Sequence, residues 1–288
     1  MTLSSRIRFF NFFRNIFRLP PLEHLLARLT RGGGYDDFFV KCLPQNYQYH
    51  KGSFRIAKRD GVRYRLDISE YMEWVIYFGL NVEERNGLYS LVKRGMVVFD
   101  IGTNIGETLL NFAAISGPAG RVFGFEPVEE NFSKCRFNIS LNDFNNIELS
   151  RMALSDKRER LYFVPASNSN SGGIFMHKDK QDAEMSIEAV TLDEYVDEHN
   201  IRSIDFIKID VEGFELNVLK GAAESVRKFR PVLFVEVDAD NLKRQGTTPH
   251  QLEELLTRYG YSIKVAGEKH LTAGNNLHYD LICEPLNK

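Results

Sequence analysis

From Met96 onward, short apolar runs alternate with stretches of helical spacing. Residues 96–101, 121–126, 147–152, 204–210 and 232–238 are β-rich, and apolar positions recur every three or four residues over 105–116, 128–142, 191–199 and 214–229. That alternation predicts a parallel sheet with helices on both faces. A helix over 248–259 leads to two more runs, 261–265 and 278–284, joined too shortly for a helical crossover, so they are expected to be antiparallel neighbours. Between the third and fourth runs, 161–164 and 187–190 flank a polar stretch, 167–173, and read as an inserted β-hairpin with a long tip.

The first 34 residues follow a different pattern. At 100° per residue, Phe9, Phe10, Phe12, Phe13, Ile16 and Phe17 share one helical face, with Arg8, Asn11, Arg14, Asn15 and Arg18 opposite. Pro20 and Pro21 are expected to stop this helix. An amphipathic helix ordinarily buries its apolar face in its own protein or a second subunit, while a basic, Phe-rich one suits an anionic membrane surface. Residues 6–18 are therefore a candidate for peripheral membrane contact or self-association. Gly32, Gly33 and Gly34 suggest a flexible boundary. The expected organisation is a basic arm over 1–34, a region capping the active site over 35–94, and the main domain over 95–288. The helical stretch 71–78 holds the only tryptophan, Trp74, whose role the pattern does not reveal.

Composition narrows the classes. The chain has 288 residues, 43% hydrophobic and 26% charged, which suits a globular protein and excludes a wholly disordered one. The formal net charge of -2 argues against nucleic acid as a partner of the whole surface. Six arginines stand against Glu23 alone in residues 1–34, so the remainder is acidic. No run of apolar residues is long enough for a secretory signal or a membrane span. Cys42, Cys135 and Cys283 are odd in number and widely spaced, which suggests a reducing compartment. The expected location is the cytoplasm, with the arm on the inner membrane face if it meets lipid.

The chemistry gathers at the ends of the expected strands. Asp100-Ile101-Gly102-Thr103-Asn104-Ile105-Gly106 follows a buried strand with a glycine turn and a helix start, where ligands of open parallel sheets bind. A dinucleotide fingerprint would carry Gly at position 104, and Asp100 would repel a phosphate but suits a cationic ligand. Glu126, before Pro127, can accept two ribose hydroxyls. A nucleoside that also carries positive charge and an amino acid portion describes S-adenosylmethionine. Asp210 and Glu212 close the fourth strand and Glu236 the fifth, on the same rim. His177 and His278 are weaker candidates, since a lone histidine is usually structural.

The sequence resembles the FkbM family of S-adenosylmethionine-dependent methyltransferases. The resemblance rests on the turn 98–106, on Phe125-Glu126-Pro127, on Ala153-Leu154-Ser155-Asp156, on Thr191-Leu192-Asp193, and on Ile207-Lys208-Ile209-Asp210-Val211-Glu212-Gly213 with Val218-Leu219-Lys220-Gly221-Ala222. It covers roughly 75–285. One departure is Thr103, where the family often has Ala. The resemblance implies an α/β, Rossmann-like class I methyltransferase fold: seven strands, mostly parallel, the last antiparallel, with the inserted hairpin and an N-terminal extension. It implies S-adenosylmethionine held by Asp100, Gly102, Asn104, Gly106, Glu126, Pro127, Ala153 and Asp210, and methyl transfer to a hydroxyl of a sugar, glycolipid or other small acceptor.

Moving a methyl from sulfonium to an alcohol requires alignment of donor and acceptor and removal of the hydroxyl proton. Asp210 is the expected base, with Glu212 and Glu236 in support; alternatively Asp210 and Glu236 hold a divalent ion that lowers the hydroxyl pKa. The competing readings are an N-methyltransferase on a small molecule or protein, a non-catalytic S-adenosylmethionine-binding scaffold, and an NAD-dependent oxidoreductase, which lacks its phosphate turn here. Nothing in the sequence names the acceptor.

Overall fold

The computed structural model describes residues 5–80, 83–165, 174–177, 185–271 and 277–286. The chain forms two compact units, Met1–Glu83 and Glu84–Lys288. The expected boundaries at 34 and 94 give way to one at 83, because the basic arm is bonded into the first unit. Thr30 Oγ1 donates to the Phe78 carbonyl at 2.8 Å, and the Gly32 N–H donates to the Gly79 carbonyl at 2.8 Å. Glu23, fully buried, takes Arg55 Nε at 2.6 Å and the Tyr77 hydroxyl at 3.2 Å.

In this unit α1 (Ser5–Arg14) runs into a 3-10 turn, Asn15–Arg18, and α2 (Pro20–Leu29) follows. Pro20 ends the first helical stretch and also opens the second, since a helix's first turn needs no N–H there. Strands β1 (Phe54–Arg59) and β2 (Val62–Asp67) form an antiparallel hairpin across Asp60-Gly61, both with positive φ, the backbone a tight two-residue turn requires. The helix Tyr71–Phe78 buries Trp74, whose indole donates to the Pro44 carbonyl at 2.8 Å, so the tryptophan anchors this unit.

The second unit carries the expected sheet. In chain order its strands are β3 (Val97–Ile101), β4 (Arg121–Phe125), β5 (Ile147–Ser150), β10 (Phe206–Ile209), β11 (Val232–Asp238), β12 (Tyr261–Leu271) and β13 (Leu277–Pro285). They lie in the order β12-β13-β11-β10-β3-β4-β5. Strands β3, β4, β5, β10 and β11 are parallel, and β13 runs antiparallel to both β11 and β12. This is the α/β, Rossmann-like class I methyltransferase arrangement. Alternate residues divide between two cores, as a doubly covered sheet demands. Phe99, Ile101, Ile207, Ile209, Leu233 and Val235 belong to one cluster, and Val98, Phe206 and Phe234 to the other.

The inserted element is larger than a hairpin. Strands β7 (Glu159–Pro165) and β9 (Met185–Val190) pair antiparallel as expected, but β6 (Ala153–Leu154) joins β9 and β8 (Ile174–His177) joins β7, giving a four-stranded sheet. The expected loop 167–173 lies outside the described residues. The helix expected over 214–229 is two helices, Glu215–Gly221 and Ala223–Phe229.

Candidate active site

The strand order reverses at β3: β4 and β5 extend to one side, β10 and β11 to the other. Ligands of such sheets bind beyond the carboxyl ends of the strands at that reversal. The turn after β3 and the residues after β10 meet there. The Asp210 N–H donates to the Ile101 carbonyl at 3.1 Å, and the Gly102 N–H to the Phe125 carbonyl at 2.9 Å, so three strand ends are laced together.

The turn winds through left-handed backbone at Gly102 (φ 85), Asn104 (φ 50) and Gly106 (φ 90). Its glycines are needed for packing as much as for ligand access. A Cβ on Gly102 would sit 1.8 Å from the Asp210 carbonyl oxygen, and one on Gly106 would sit 2.7 Å from Cys135 Sγ. On the side where a Cβ would project, protein atoms already fill the space, so these glycines let the turn pack against Asp210 and Cys135.

Asp100 is not a rim residue. It is fully buried, register partner of Lys208 on β10, and accepts from Thr108 Oγ1 at 2.6 Å. Burial pushes its carboxyl above the usual range, against the pull of Lys208. Its Oδ1 makes no hydrogen bond and faces Lys208 Nζ at 3.5 Å. Asp100 therefore answers a cation of its own chain, and its service to a ligand would be indirect.

Lys208, 5% exposed, is the residue that sequence reasoning passed over inside the Ile207-Lys208-Ile209 run. Its ammonium lies 3.0 Å from Asp210 Oδ2 and 3.0 Å from the Gly102 carbonyl. Burial opposes its charge, but Asp210 and Asp100 together hold its pKa above the ordinary lysine value. A lysine within an apolar strand was the available signal, since a buried ammonium requires carboxylate partners.

Asp210 keeps 37% of its side chain exposed. Burial of the rest pushes its pKa up, but Lys208 and a hydrogen bond from Glu236 prevail and hold it below the usual range. Glu236 is driven the other way, well above the ordinary value, by burial and then by repulsion from Asp210, Glu212 and Glu215. The two carboxyls are therefore pushed apart in acidity, Asp210 toward the ionised form and Glu236 toward the protonated one. Glu236 lies within β11, two residues before its end, and His278 Nε2 is 3.0 Å from its Oε1. The structure thus recruits His278, opposite Asp238 in the antiparallel register, to the acid cluster. His177 belongs to β8 in the smaller sheet.

Glu126 bridges two turns. Its Oε2 accepts from the Asn104 N–H and its Oε1 from the Val128 N–H, both at 2.9 Å, and burial pushes its pKa up to about 7. The Asn131 side chain also hydrogen-bonds this carboxyl, and of the roughly four lone-pair sites of a carboxylate the remainder is open to a ligand hydroxyl. Pro127 follows in the same half-buried turn. Glu212, at φ 54, is exposed and accepts from Asn241 Nδ2 at 2.6 Å, turned toward the segment after β11. Ala153 is buried with Val128, Leu161, Ala189 and Phe214, so its side chain serves packing.

Glu215 was also missed. It is 1% exposed, and its Oε1 takes the Val211 and Gly213 N–H groups at 3.1 and 3.0 Å, fixing the turn that follows Asp210. Other motif residues lock elements together. A Cβ on Gly221 would lie 2.0 Å from the Ser155 carbonyl oxygen and 3.2 Å from Thr191 Cβ, which joins three runs distant in sequence.

The residues do not suit a divalent ion. The ammonium of Lys208 sits on Asp210 Oδ2, where a cation would bind, and among the described residues no group of three or more His, Cys, Asp or Glu is placed to hold a metal. They do suit S-adenosylmethionine: Glu126 offers spare lone pairs beside the left-handed turn, and Asp210 presents an ionised carboxylate on the neighbouring strand end.

Residues 100–263 match the methyltransferase FkbM domain, and the chain belongs to that family. Two of its relatives are a 2-O-methyltransferase, NoeI, of Sinorhizobium fredii, 30% identical over 155 residues, and a hexuronic acid methyltransferase, AglP, of Haloferax volcanii, 30% identical over 169. These matches cover 49% and 59% of this chain and span 63% and 64% of the relatives' lengths. A third relative, the 31-O-demethyl-FK506 methyltransferase FkbM of Streptomyces tacrolimicus, is 27% identical over 217 residues, covering 65% of this chain and 80% of its own.

Proposed function

We propose that this protein is an S-adenosylmethionine-dependent methyltransferase that methylates a hydroxyl oxygen of a sugar, glycolipid or other small acceptor. The observation that carries the reading is Asp210: a carboxylate kept ionised by Lys208 and part-exposed at the strand-order reversal, beside the turn that Glu126 fastens. The relatives named as a 2-O-methyltransferase, a hexuronic acid methyltransferase and a 31-O-demethyl-FK506 methyltransferase support oxygen as the acceptor.

When bound, S-adenosylmethionine supplies an electrophilic methyl on a sulfonium. Glu126 would accept the ribose hydroxyls with its remaining lone pairs. Asp210 would accept a hydrogen bond from the acceptor hydroxyl, aim the oxygen lone pair, and take the proton as the new O–C bond forms. Because Lys208 and Glu236 lower its basicity, orientation is the larger share of what Asp210 contributes. A reducing compartment, the cytoplasm, is part of the proposal; Cys135 and Cys283 are buried thiols and Cys42 is half-buried and free.

The test is transfer from methyl-labelled S-adenosylmethionine to panels of uronic acids, hexoses, glycolipids and hydroxylated metabolites, with product linkage read by mass spectrometry. Label on an ether oxygen supports the reading. Label on nitrogen overturns the oxygen assignment, and calorimetry showing no binding of S-adenosylmethionine overturns the class.

A further inference from the structure

We infer that the outward apolar face formed by α1 and the turn after it docks on an anionic phospholipid surface, flat against the bilayer. The helix is packed the reverse of the usual way. Its polar edge faces the protein: Asn11 is 9% exposed, its Nδ2 donates to the Tyr47 hydroxyl at 3.2 Å, and its carbonyl accepts from Gln48 Nε2 at 3.2 Å. Arg14 lies along the same edge and donates to the Lys41 carbonyl at 2.8 and 3.1 Å. The apolar face points out. Phe9 is 61% exposed and Phe12 70%, with Phe10, Phe13, Ile16 and Leu19 also exposed. Phe13 packs edge-on against both Phe9 and Phe12, at 5.0 and 5.6 Å between ring centroids, so the rings form one cluster. A contiguous aromatic patch held toward solvent by a buried polar seam marks an interaction surface.

Charge selects the occupant. The first 34 residues carry six arginines, of which Arg31 pairs with Asp60, and their single acid, Glu23, is buried on Arg55. Arg14 and Arg18 donate to neutral oxygens of Lys41, Asn11 and Asn15, so those bonds leave their charge unneutralised. Beside the patch, Asn15, Arg18, Leu19, Tyr49, Ser53 and Arg55 line a cavity of about 230 Å³, where Arg55 is paired with Glu23 and Arg18 supplies the positive charge. A second copy of this chain, paired face to face, would bring the same arginines together and be repelled. An anionic bilayer satisfies both features, taking the phenylalanines below the headgroups and Arg18, at the border of the patch, among them. Among the described residues no helix is long and apolar enough to cross a membrane, so the contact is interfacial.

The inference stands apart from the methyl-transfer reading, because lipid binding requires neither donor nor acceptor. The full chain is sedimented with sucrose-loaded vesicles of phosphatidylcholine alone or with 30% phosphatidylglycerol (roughly one anionic lipid in three, to set a strong surface charge), at low and high salt. Selective sedimentation with the anionic vesicles, weakened by salt, is expected. The double variant Phe9→Ser, Phe12→Ser should lose at least about tenfold in partitioning and Arg18→Gln several-fold, with thermal unfolding unchanged because these side chains are exposed. Absence of anionic-vesicle binding, or binding indifferent to the phenylalanine variant, overturns the inference. A concentration-dependent dimer that the same variant dissolves, without vesicle binding, assigns the face to a second copy and overturns it equally.

Discussion

Lys208 and Asp100 are register partners on adjacent parallel strands, both buried, with Nζ 3.5 Å from Oδ1. Two strands that otherwise carry apolar residues are joined at their ends by a charge pair, and the same ammonium reaches Asp210 at the rim. Structural and chemical demands therefore share one side chain. Removing one partner of a buried pair leaves the other charge uncompensated, at a cost of about 3–5 kcal/mol. Lys208→Met is expected to lower unfolding stability by that order in urea titrations. Asp100→Asn should cost less, because burial already favours its neutral form. Equal stability of Lys208→Met and the parent would contradict the pairing.

The glycine turn gives a second expectation. Gly102→Ala places a methyl 1.8 Å from a backbone oxygen at φ 85, and it should abolish folding rather than cofactor affinity alone. Gly106→Ala meets a side chain, Cys135 Sγ at 2.7 Å, so Cys135→Ala should partly rescue it. The residual defect would be the strain of φ 90 in a non-glycine residue, about 1–2 kcal/mol. Melting temperatures of the two single variants and the double variant check this, and additive losses would show that the thiol is not the obstacle.

The sheet was legible because burial on both faces writes each strand as an apolar run, and its five expected parallel strands and closing antiparallel pair are all observed. The site was legible as a location more than as a set of contacts. Asp210 and Glu126 stand where strand ends put them, whereas Asp100 and Ala153 are buried in packing roles, because one position along a strand decides between rim and interior. Lys208 and Glu215 were passed over because their partners lie across the sheet or on the far side of a turn, and His278 ranked as a weaker candidate because it meets Glu236 through a strand pairing 42 residues apart. The outward phenylalanines show the same limit. Periodicity identified the apolar face, but the partners of Asn11 and Arg14 decided which way it points.

Glu126 and Glu215 are carboxyls whose pKa burial raises from about 4.5 to about 7. The sign follows from proton uptake: between those values the folded state keeps protons that the unfolded state has released, so these groups stabilise most below about pH 4.5 and lose that contribution as pH rises through 7. The full loss is about 3 kcal/mol per group, at roughly 1.4 kcal/mol per pH unit. Urea titrations at pH 5 and pH 8 should show a smaller difference for Glu215→Gln than for the parent. An unchanged difference would show that Glu215 does not hold its proton in the folded state.

The arrangement of Asp210, Glu236 and His278 separates two roles for the acids in turnover. Asp210→Asn removes the charge that would receive the hydroxyl proton, so kcat should fall about 10²- to 10⁴-fold, a larger loss than any in affinity for S-adenosylmethionine. Burial and the neighbouring Asp210 push Glu236 toward its protonated form, and a glutamine amide is a neutral group of the same size that also carries a donor. Glu236→Gln should therefore keep kcat within a few-fold at neutral pH, while Glu236→Ala, which leaves Asp210 and His278 without that link, should lose about tenfold. The pH profile is the sharper readout. As Glu236 ionises with rising pH two carboxylates repel, so the parent should decline on the alkaline limb, whereas Glu236→Gln has no proton to lose and should hold its rate. His278→Gln should shift that limb, since its ring sits 3.0 Å from Glu236 Oε1, without changing donor affinity. Identical alkaline limbs in the parent and Glu236→Gln would show that the carboxyl of Glu236 does not govern Asp210. Full turnover by Asp210→Asn would place the proton acceptor on another strand.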